Sequence, residues 1–278
     1  MDISIYNVFL TFIVGIIEGI TEWLPISSTG HMLLFNEFFP LDVTEKFYDF
    51  FLVVIQLGAI LAVVFLYFSK LFPFSFKKNE PFLKKDTLTL WYKICVSCIP
   101  AVIVGVLFSD TFDRLFYNSP SVSMALIVFG VFFILVEFYN KKRAPKKTSL
   151  LELTFTDAAL IGMFQVLAAV FPGVSRSGAT ILGAILIGIS RTVAAEYTFF
   201  LAVPVMAGAS LLKLLKFGFD FTGAEVLYIL IGIVTSFVVS IISIKFLVGY
   251  IKKHDFKAFG IYRIILGFLV LILLNVLK

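Results

Sequence analysis

Hydrophobic positions run in long continuous stretches along this chain, not in alternation with polar ones. Six stretches are long enough to be transmembrane helices, because roughly 18–20 apolar residues cross about 30 Å of hydrocarbon. Continuous runs favour helices over the alternating strands of a membrane barrel. The pattern predicts full spans at 47–69, 91–108, 121–140, 193–215, 226–249 and 259–277.

Two further apolar stretches, at about 5–36 and 157–189, are each interrupted by a short polar segment. Each interruption contains a proline followed by small and hydroxyl residues, which end one helix and cap the next. Neither half of each stretch is long enough to cross the membrane alone. We therefore expect two re-entrant helical hairpins, which membrane depth tolerates only where protein or a wet cavity surrounds them.

The two halves of the chain also repeat. We predict a single membrane domain over 1–278, with repeats at about 1–140 and 148–278, each a hairpin plus three spans. Three is an odd number, so the second copy is inverted, and such repeats place a binding site near the midplane. An offset of 147 aligns Gly15 with Gly162, Glu18 with Gln165, Pro25 with Pro172, Ser28 with Ser175, and Asp49 with Glu196.

Composition supports an all-α polytopic membrane protein and excludes a soluble one. Hydrophobic residues make up 60% of the 278 positions and charged residues 15%, with 34 phenylalanines. The net charge of +5 falls in short loops and does not indicate nucleic-acid binding. Cys95 and Cys98 lack the further ligands of a zinc site, so we predict that they are small buried hydrophobes.

Loop charges predict the orientation. The loops at 70–90, 141–156 and 250–258 are rich in lysine, including Lys78, whereas 109–120 carries Arg114 against Asp110 and Asp113. Basic loops stay cytoplasmic. Both termini are then outside, the first hairpin enters from outside and the second from the cytoplasm. His254 lies in a basic loop, where we expect a solvated side chain.

The first polar segment carries two acidic residues. Glu18 and Glu22 are four apart and share one face of a helix. Such a pair either binds a cation or shares a proton; alternatively, the carboxylates are structural and bond the backbone at the helix break. Carboxylates at membrane depth are costly and are a functional hypothesis by default.

Hydroxyl residues follow Pro25. The run Ser27-Ser28-Thr29-Gly30 places hydroxyls and free N–H groups at a helix start, which is an anion site. Ser28 and His31 are three apart and face the same way, as a nucleophile and its base would. The alternative is that Ser27 or Ser28 only caps the helix.

The second polar segment is built around an arginine. Arg176 suits bidentate phosphate recognition, with hydroxyls at Ser175, Ser177 and Thr180 around it. Alternatively, Arg176 only pairs with Glu22 as a structural bridge. The first half therefore favours proton transfer and attack, and the second favours holding phosphate.

These segments, Glu-Gly-x-Thr-Glu-x-Leu-Pro-x-Ser-Ser-Thr-Gly-His at 18–31 and Pro-Gly-x-Ser-Arg-Ser-Gly-Ala-Thr at 172–180, resemble the undecaprenyl-diphosphate phosphatase family of the bacitracin-resistance type. The run Val-Ile-Gln-Leu-Gly-Ala-Ile-Leu-Ala-Val at 54–63 does too. The resemblance implies an integral bacterial plasma-membrane enzyme that hydrolyses undecaprenyl diphosphate to the monophosphate. It also implies a divalent cation, a role in recycling the cell-wall lipid carrier, and a site reached from the extracytoplasmic side.

Carried over by position, the resemblance implies a set of site residues. The catalytic set is Glu18, Glu22, Ser28, His31 and Arg176, and the phosphates are lined by Ser27, Thr29, Ser175, Ser177 and Thr180. Glu18 and Glu22 would hold Mg²⁺ or Ca²⁺, or manage protons. Our hypothesis is that Ser28, activated by His31, attacks the terminal phosphorus; alternatively, His31 attacks directly or activates water.

Inverted repeats with broken helices are also a transporter architecture, so a transporter or flippase of polyprenyl phosphates is the main alternative. A non-catalytic receptor for these lipids is a third. A Ser/His pair beside two carboxylates favours catalysis, because anion transport requires only the arginine and the helix ends. The partners expected are the lipid substrate and membrane lipids, and the oligomeric state stays open.

Overall fold

A computed structural model describes residues 3–77 and 81–275, and helices dominate this part of the chain. We number twelve α-helices within it. They are α1 (Ile5–Thr21), α2 (Ser28–Phe38), α3 (Glu45–Val54), α4 (Gln56–Leu66), α5 (Phe68–Leu71), α6 (Lys85–Phe116), α7 (Ser119–Asn140), α8 (Phe155–Val170), α9 (Arg176–Leu186), α10 (Arg191–Phe217), α11 (Gly223–Ile251) and α12 (Lys257–Asn275).

The six predicted spans are confirmed within the described residues. Apolar helical segments long enough to cross a membrane lie at Glu45–Leu66, Lys85–Phe112, Ser119–Asn140, Arg191–Phe217, Gly223–Ile251 and Lys257–Leu274. The chain is therefore an all-α, multi-pass membrane protein. Lys78 and positions 276–277 of the last predicted span lie outside the described residues, as does the side chain of Asp113.

The predicted loop at 109–120 is mostly wrong. Helix α6 continues to Phe116, because neither proline nor glycine interrupts it there. The chain turns only at Asn118, whose side chain caps α7 by accepting from the Ser121 N–H, with Pro120 in the first turn. Asparagine caps and early prolines are ordinary helix starts.

The two interrupted stretches form helix pairs, α1–α2 and α8–α9. Helices α2 and α9 have 11 residues each, about 17 Å, which is roughly half the hydrocarbon thickness. Both breaks begin before the proline: α1 ends at Thr21 and α8 at Val170. The structure has the breaks where the sequence predicts them, while re-entrant insertion stays a prediction.

Each helix pair packs against the other half of the chain. Helix α1 of the first half lies against α11 of the second, and α8 of the second half lies against α6 of the first. Equivalent glycines make both approaches close. A β-carbon at Gly15 would lie 2.8 Å from the Thr235 β-carbon, and one at Gly162 would lie 2.5 Å from the Ser97 carbonyl oxygen. This exchange of hairpins between halves supports the inverted repeat, which stays a prediction.

The constant offset of 147 fails inside the hairpin. Ser27 caps α2 and Ser175 caps α9, each accepting from the N–H three residues later. These equivalent caps are 148 apart, because Gly173 adds one residue to the second turn. Ser28 therefore corresponds to Arg176, and not to Ser175.

The prediction for the cysteines is wrong for Cys95. Cys95 is exposed and Cys98 half-buried, because α6 packs against α8 mainly along the face that carries Ser97 and turns its other side outward. His254 is exposed as predicted, stacking on Tyr250 with ring centroids 4.5 Å apart.

Candidate active site

Glu22 joins the two hairpins at the centre of the site. It is the C-cap residue directly after α1, and its side chain is buried. Arg176 Nη2 donates to Glu22 Oε1 at 3.1 Å, and the Ser28 hydroxyl donates to Oε2 at 3.2 Å. The Ser177 hydroxyl donates to the Glu22 backbone carbonyl at 3.0 Å. One carboxylate thus holds the first residue of α2 and the first residue of α9.

Arg176 is fixed on two sides. Besides Glu22, its Nη1 donates to the Thr198 carbonyl on α10 at 2.8 Å. The guanidinium carbon lies 5.8 Å from the Trp23 ring centroid, and the buried Nε has no partner among the described residues. The ion pair raised as an alternative from the sequence is present, and it leaves the buried Nε–H of Arg176 unpaired within the described residues.

Glu18 lies one helical turn before Glu22 and is equally buried. Its Oε1 has no hydrogen-bond partner in the described chain. Magnesium and calcium prefer oxygen ligands and often keep waters or bind phosphates. The described residues contain no cluster of three or more His, Cys, Asp or Glu side chains. The donor set therefore fits a cation that Glu18 and Glu22 hold together with water and substrate oxygens.

Both hairpin turns use the same serine conformation. Ser27 has φ 73° and Ser175 has φ 70°, and they are the non-glycine residues with positive φ among those described. Each serine side chain accepts from a glycine N–H, Gly30 at 3.4 Å and Gly178 at 3.2 Å. Ser27 is thus the cap of α2 and Ser175 the cap of α9, whereas Ser28 is not a cap.

His31 is held by groups other than Ser28. Its Nδ1 lies 2.7 Å from the Ser27 carbonyl oxygen, and its Nε2 lies 2.7 Å from the Tyr262 hydroxyl. A carbonyl can only accept, so Nδ1 carries the proton and, in the neutral ring, Nε2 accepts from Tyr262. The expected Ser28–His31 pair is replaced here by Ser28–Glu22 and His31–Tyr262.

The remaining predicted residues divide by accessibility. Thr29 and Ser175 are half-buried, and the Ser175 and Ser177 hydroxyls lie 3.1 Å apart. Thr180 is fully buried: its hydroxyl donates to the Arg176 carbonyl at 2.9 Å and accepts from Thr198. The structure therefore places Thr180 behind Arg176 and not with the accessible hydroxyls.

Arg263 on α12 ties the two turns together. It is completely buried, and it donates from Nη1 to the Pro25 carbonyl at 3.2 Å and from Nη2 to the Gly173 carbonyl at 2.9 Å. Neither Arg263 nor its neighbour Tyr262 was identified from the sequence. An arginine inside an apolar span is a signal in itself, whereas nothing local distinguishes Tyr262.

Comparison with known proteins decides the family. The family model described as bacitracin resistance protein BacA matches residues 11–269. The chain belongs to that family. The match spans both hairpins and ends beyond Arg263, so every residue of the site described above lies within it.

Relatives in this family match almost end to end. "Undecaprenyl-diphosphatase 1" of Clostridium acetobutylicum is 65% identical over 93% of this chain and 94% of its own length. "Undecaprenyl-diphosphatase" of Desulfitobacterium hafniense is 59% identical over 97% and 96%. That of Enterococcus faecalis is 55% identical over 98% and 99%.

Proposed function

We propose that this protein hydrolyses undecaprenyl diphosphate to undecaprenyl phosphate and inorganic phosphate, and so recycles the lipid carrier of cell-wall synthesis and confers bacitracin resistance. The names of its full-length relatives support this reaction. The observation that carries it is the junction at Glu22, where a guanidinium and a serine hydroxyl meet on one buried carboxylate.

Arg176 and the two helix starts hold the diphosphate. The first N–H groups of α2 and α9 have no partner within their helices, and helix N-termini attract phosphate. Arg176 exchanges its bond to Glu22 for one to a phosphate oxygen, since a guanidinium binds both anions in the same geometry. The polyprenyl chain lies along the lipid-facing helices.

Ser28 is the proposed nucleophile, and it attacks the terminal phosphorus. Its proton passes to Glu22 Oε2, the group its hydroxyl contacts, as its oxygen bonds to the terminal phosphorus. The bond from that phosphorus to the bridging oxygen breaks and releases undecaprenyl phosphate. Water then attacks the phosphoserine, with His31 Nε2 as the base once Tyr262 releases it. The bond from phosphorus to the Ser28 oxygen breaks, Glu22 returns its proton to that oxygen, and inorganic phosphate leaves. Arg176 stabilises charge on the phosphoryl oxygens, which is usually the largest contribution to such catalysis.

Glu18 and Glu22 would hold the divalent cation, Mg²⁺ or Ca²⁺. When bound, it supplies positive charge that neutralises the phosphoryl oxygens. Glu18 is the better placed of the two, because its Oε1 is unengaged in the described chain while both Glu22 oxygens have partners.

The enzyme acts in the bacterial plasma membrane with its site facing the extracytoplasmic side. The turn at Gly173 lies against Val122, near the start of α7. The 141–147 linker follows the other end of α7 and packs on the α9–α10 turn. The turn of the second hairpin is therefore separated from this basic linker by the length of α9, about 17 Å, on the side away from the loops that we expect to be cytoplasmic.

The test is phosphate release from a C15 or C55 polyprenyl diphosphate by purified protein in detergent, with Mg²⁺ or Ca²⁺. We expect turnover in the wild type, loss in His31→Ala and wild-type turnover in His254→Ala, because His254 is the exposed second histidine. No release by folded wild type would reject the enzyme, and it would favour the transporter, since detergent removes any gradient.

A further inference from the structure

A second cavity opens at the end of the bundle where the basic loops gather. It has a volume of about 510 Å³ and lies between the end of α7, the linker after it, the α9–α10 turn and the end of α11. It is separate from the candidate active site. The turn of the second hairpin contacts Val122, whereas the cavity is lined by Tyr139. These residues are about 25 Å apart along α7.

Cations line this cavity in excess. The four are Arg143, Lys146, Arg191 and Lys252. Arg191 is neutralised by Glu137, to which its Nε donates at 2.9 Å. The other three have no carboxylate partner in the part of the chain that the structure describes. The cavity therefore presents about three uncompensated positive charges.

The wall of the cavity is built by specific backbone contacts. The Lys146 N–H donates to the Gly188 carbonyl at 2.8 Å, and the Ser190 N–H donates to the Lys147 carbonyl at 2.9 Å. Gly188 has φ 91°, a conformation that favours glycine. These bonds fix the linker against the turn, so Lys146 is anchored at the mouth of the cavity and is not on a free loop.

Donors and apolar surface complete the lining. The first N–H groups of α10 point out of its N-terminus, where helices bind anions. Ser190 and Thr192 add hydroxyls. Leu186, Ile187 and Ile251 form an apolar side, and Leu186 is 38% exposed. A ligand here is an anion that also carries an apolar portion.

We propose that this cavity binds the phosphate headgroup of an anionic membrane lipid. Its volume suits one phosphoglycerol headgroup, and the apolar side leads to the lipid-facing surface. Basic pockets between transmembrane helices at the cytoplasmic side bind such headgroups. The proposal does not depend on the proposed function, because none of the candidate site residues lines this cavity.

The test compares two double variants with equal loss of charge in the same loops. Lys146→Gln with Lys252→Gln removes two cations of the cavity. Lys142→Gln with Lys253→Gln removes their exposed neighbours, which do not line it. Each purified protein is titrated in detergent with phosphatidylglycerol, phosphatidylcholine or inorganic phosphate, and followed by native mass spectrometry and thermal melting.

We expect phosphatidylglycerol to bind the wild type and the Lys142/Lys253 variant alike, with at least five-fold weaker binding to the Lys146/Lys252 variant. Phosphatidylcholine should leave all three melting temperatures unchanged, and phosphate release should be equal in all three. Equal loss in both variants would overturn the proposal, because loop charge alone would then explain binding. If inorganic phosphate raised the melting temperature of the wild type as much as phosphatidylglycerol does, the assignment to a lipid would be overturned.

Discussion

The two hairpin turns share a backbone but differ in chemistry. In each, a serine with positive φ caps an 11-residue helix and accepts from a glycine N–H. The helix that follows each turn begins with Ser28 in the first hairpin and with Arg176 in the second. The proposed nucleophile and the proposed phosphate-binding guanidinium therefore occupy equivalent places. In the proposed mechanism, the two turns therefore take different tasks according to the residue at this position.

The carboxylates mark the other difference between the turns. Glu18 and Glu22 lie in the first hairpin, where the second has Gln165 and Ala169. Only the first hairpin therefore brings carboxylates to its turn, where they can accept a proton from a hydroxyl or hold a cation; Asp157 of the second hairpin lies at the start of α8 and pairs with Lys147. The Glu22 carboxylate of the first hairpin accepts from the Arg176 guanidinium of the second. One site therefore combines the carboxylates of one hairpin with the arginine of the other.

The strongest test of this division is Arg176→Ala. We expect turnover to fall about 10³-fold, because the variant loses the guanidinium that stabilises the phosphoryl oxygens. Ser27→Ala, which removes a cap, should lose about ten-fold or less. Phosphate release in detergent measures both. Near-normal turnover of a folded Arg176→Ala protein would show that the second turn does not hold the phosphate.

The next test removes the brace between the turns. Arg263→Ala leaves the buried carbonyls of Pro25 and Gly173 unpaired, each costing about 1–3 kcal/mol. We expect a marked drop in melting temperature with lost activity, and partial recovery in Arg263→Lys, which keeps one donor group. Lys142→Ala, on the exposed linker, is the control. A melting temperature unchanged in Arg263→Ala would mean that the turns hold their places without it.

A smaller effect is expected from Tyr262→Phe. It removes the hydroxyl on His31 Nε2 and should lower kcat about ten-fold with KM little changed, since the ring loses its orientation but the phosphate ligands stay. Tyr262→Phe added to His31→Ala should cost almost nothing more, because the two residues act as a unit. If the two substitutions lowered kcat independently, so that their effects added in the double variant, Tyr262 would not act through His31.

The smallest effects probe the shared backbone. Ser27→Gly and Ser175→Gly lose a cap but relieve positive φ, so their stability should change by only a few tenths of a kcal/mol. Ser27→Ala and Ser175→Ala lose the cap and keep the strain, at about 1 kcal/mol each. Thermal melting compares the four. If the same substitution changed the thermal stability clearly more in one turn than in the other, the two turns would not be structurally equivalent.

The sequence predicts the spans and the two breaks well, because the membrane dictates the length of apolar runs and proline marks their interruption. The sequence predicts poorly which side chains form hydrogen bonds with each other. A spacing of three suggested that Ser28 bonds His31, but the chain reversal at Ser27 brings Ser28 back to Glu22. Partners far along the chain, such as Tyr262 for His31, leave no local pattern. Arg263 did leave one, as a charge within an apolar span.

The exchange of hairpins between halves has a consequence for biosynthesis. Helix α1 packs against α11, so Gly15 meets Gly232 only after more than two hundred further residues are made. At about 5–20 residues per second, that interval is roughly 10–40 s. Glu22 likewise has no Arg176 to bind until 154 further residues have been made. Helix α12 then delivers Tyr262 and Arg263 together, so the candidate site is complete only when the chain has grown 231 residues beyond His31.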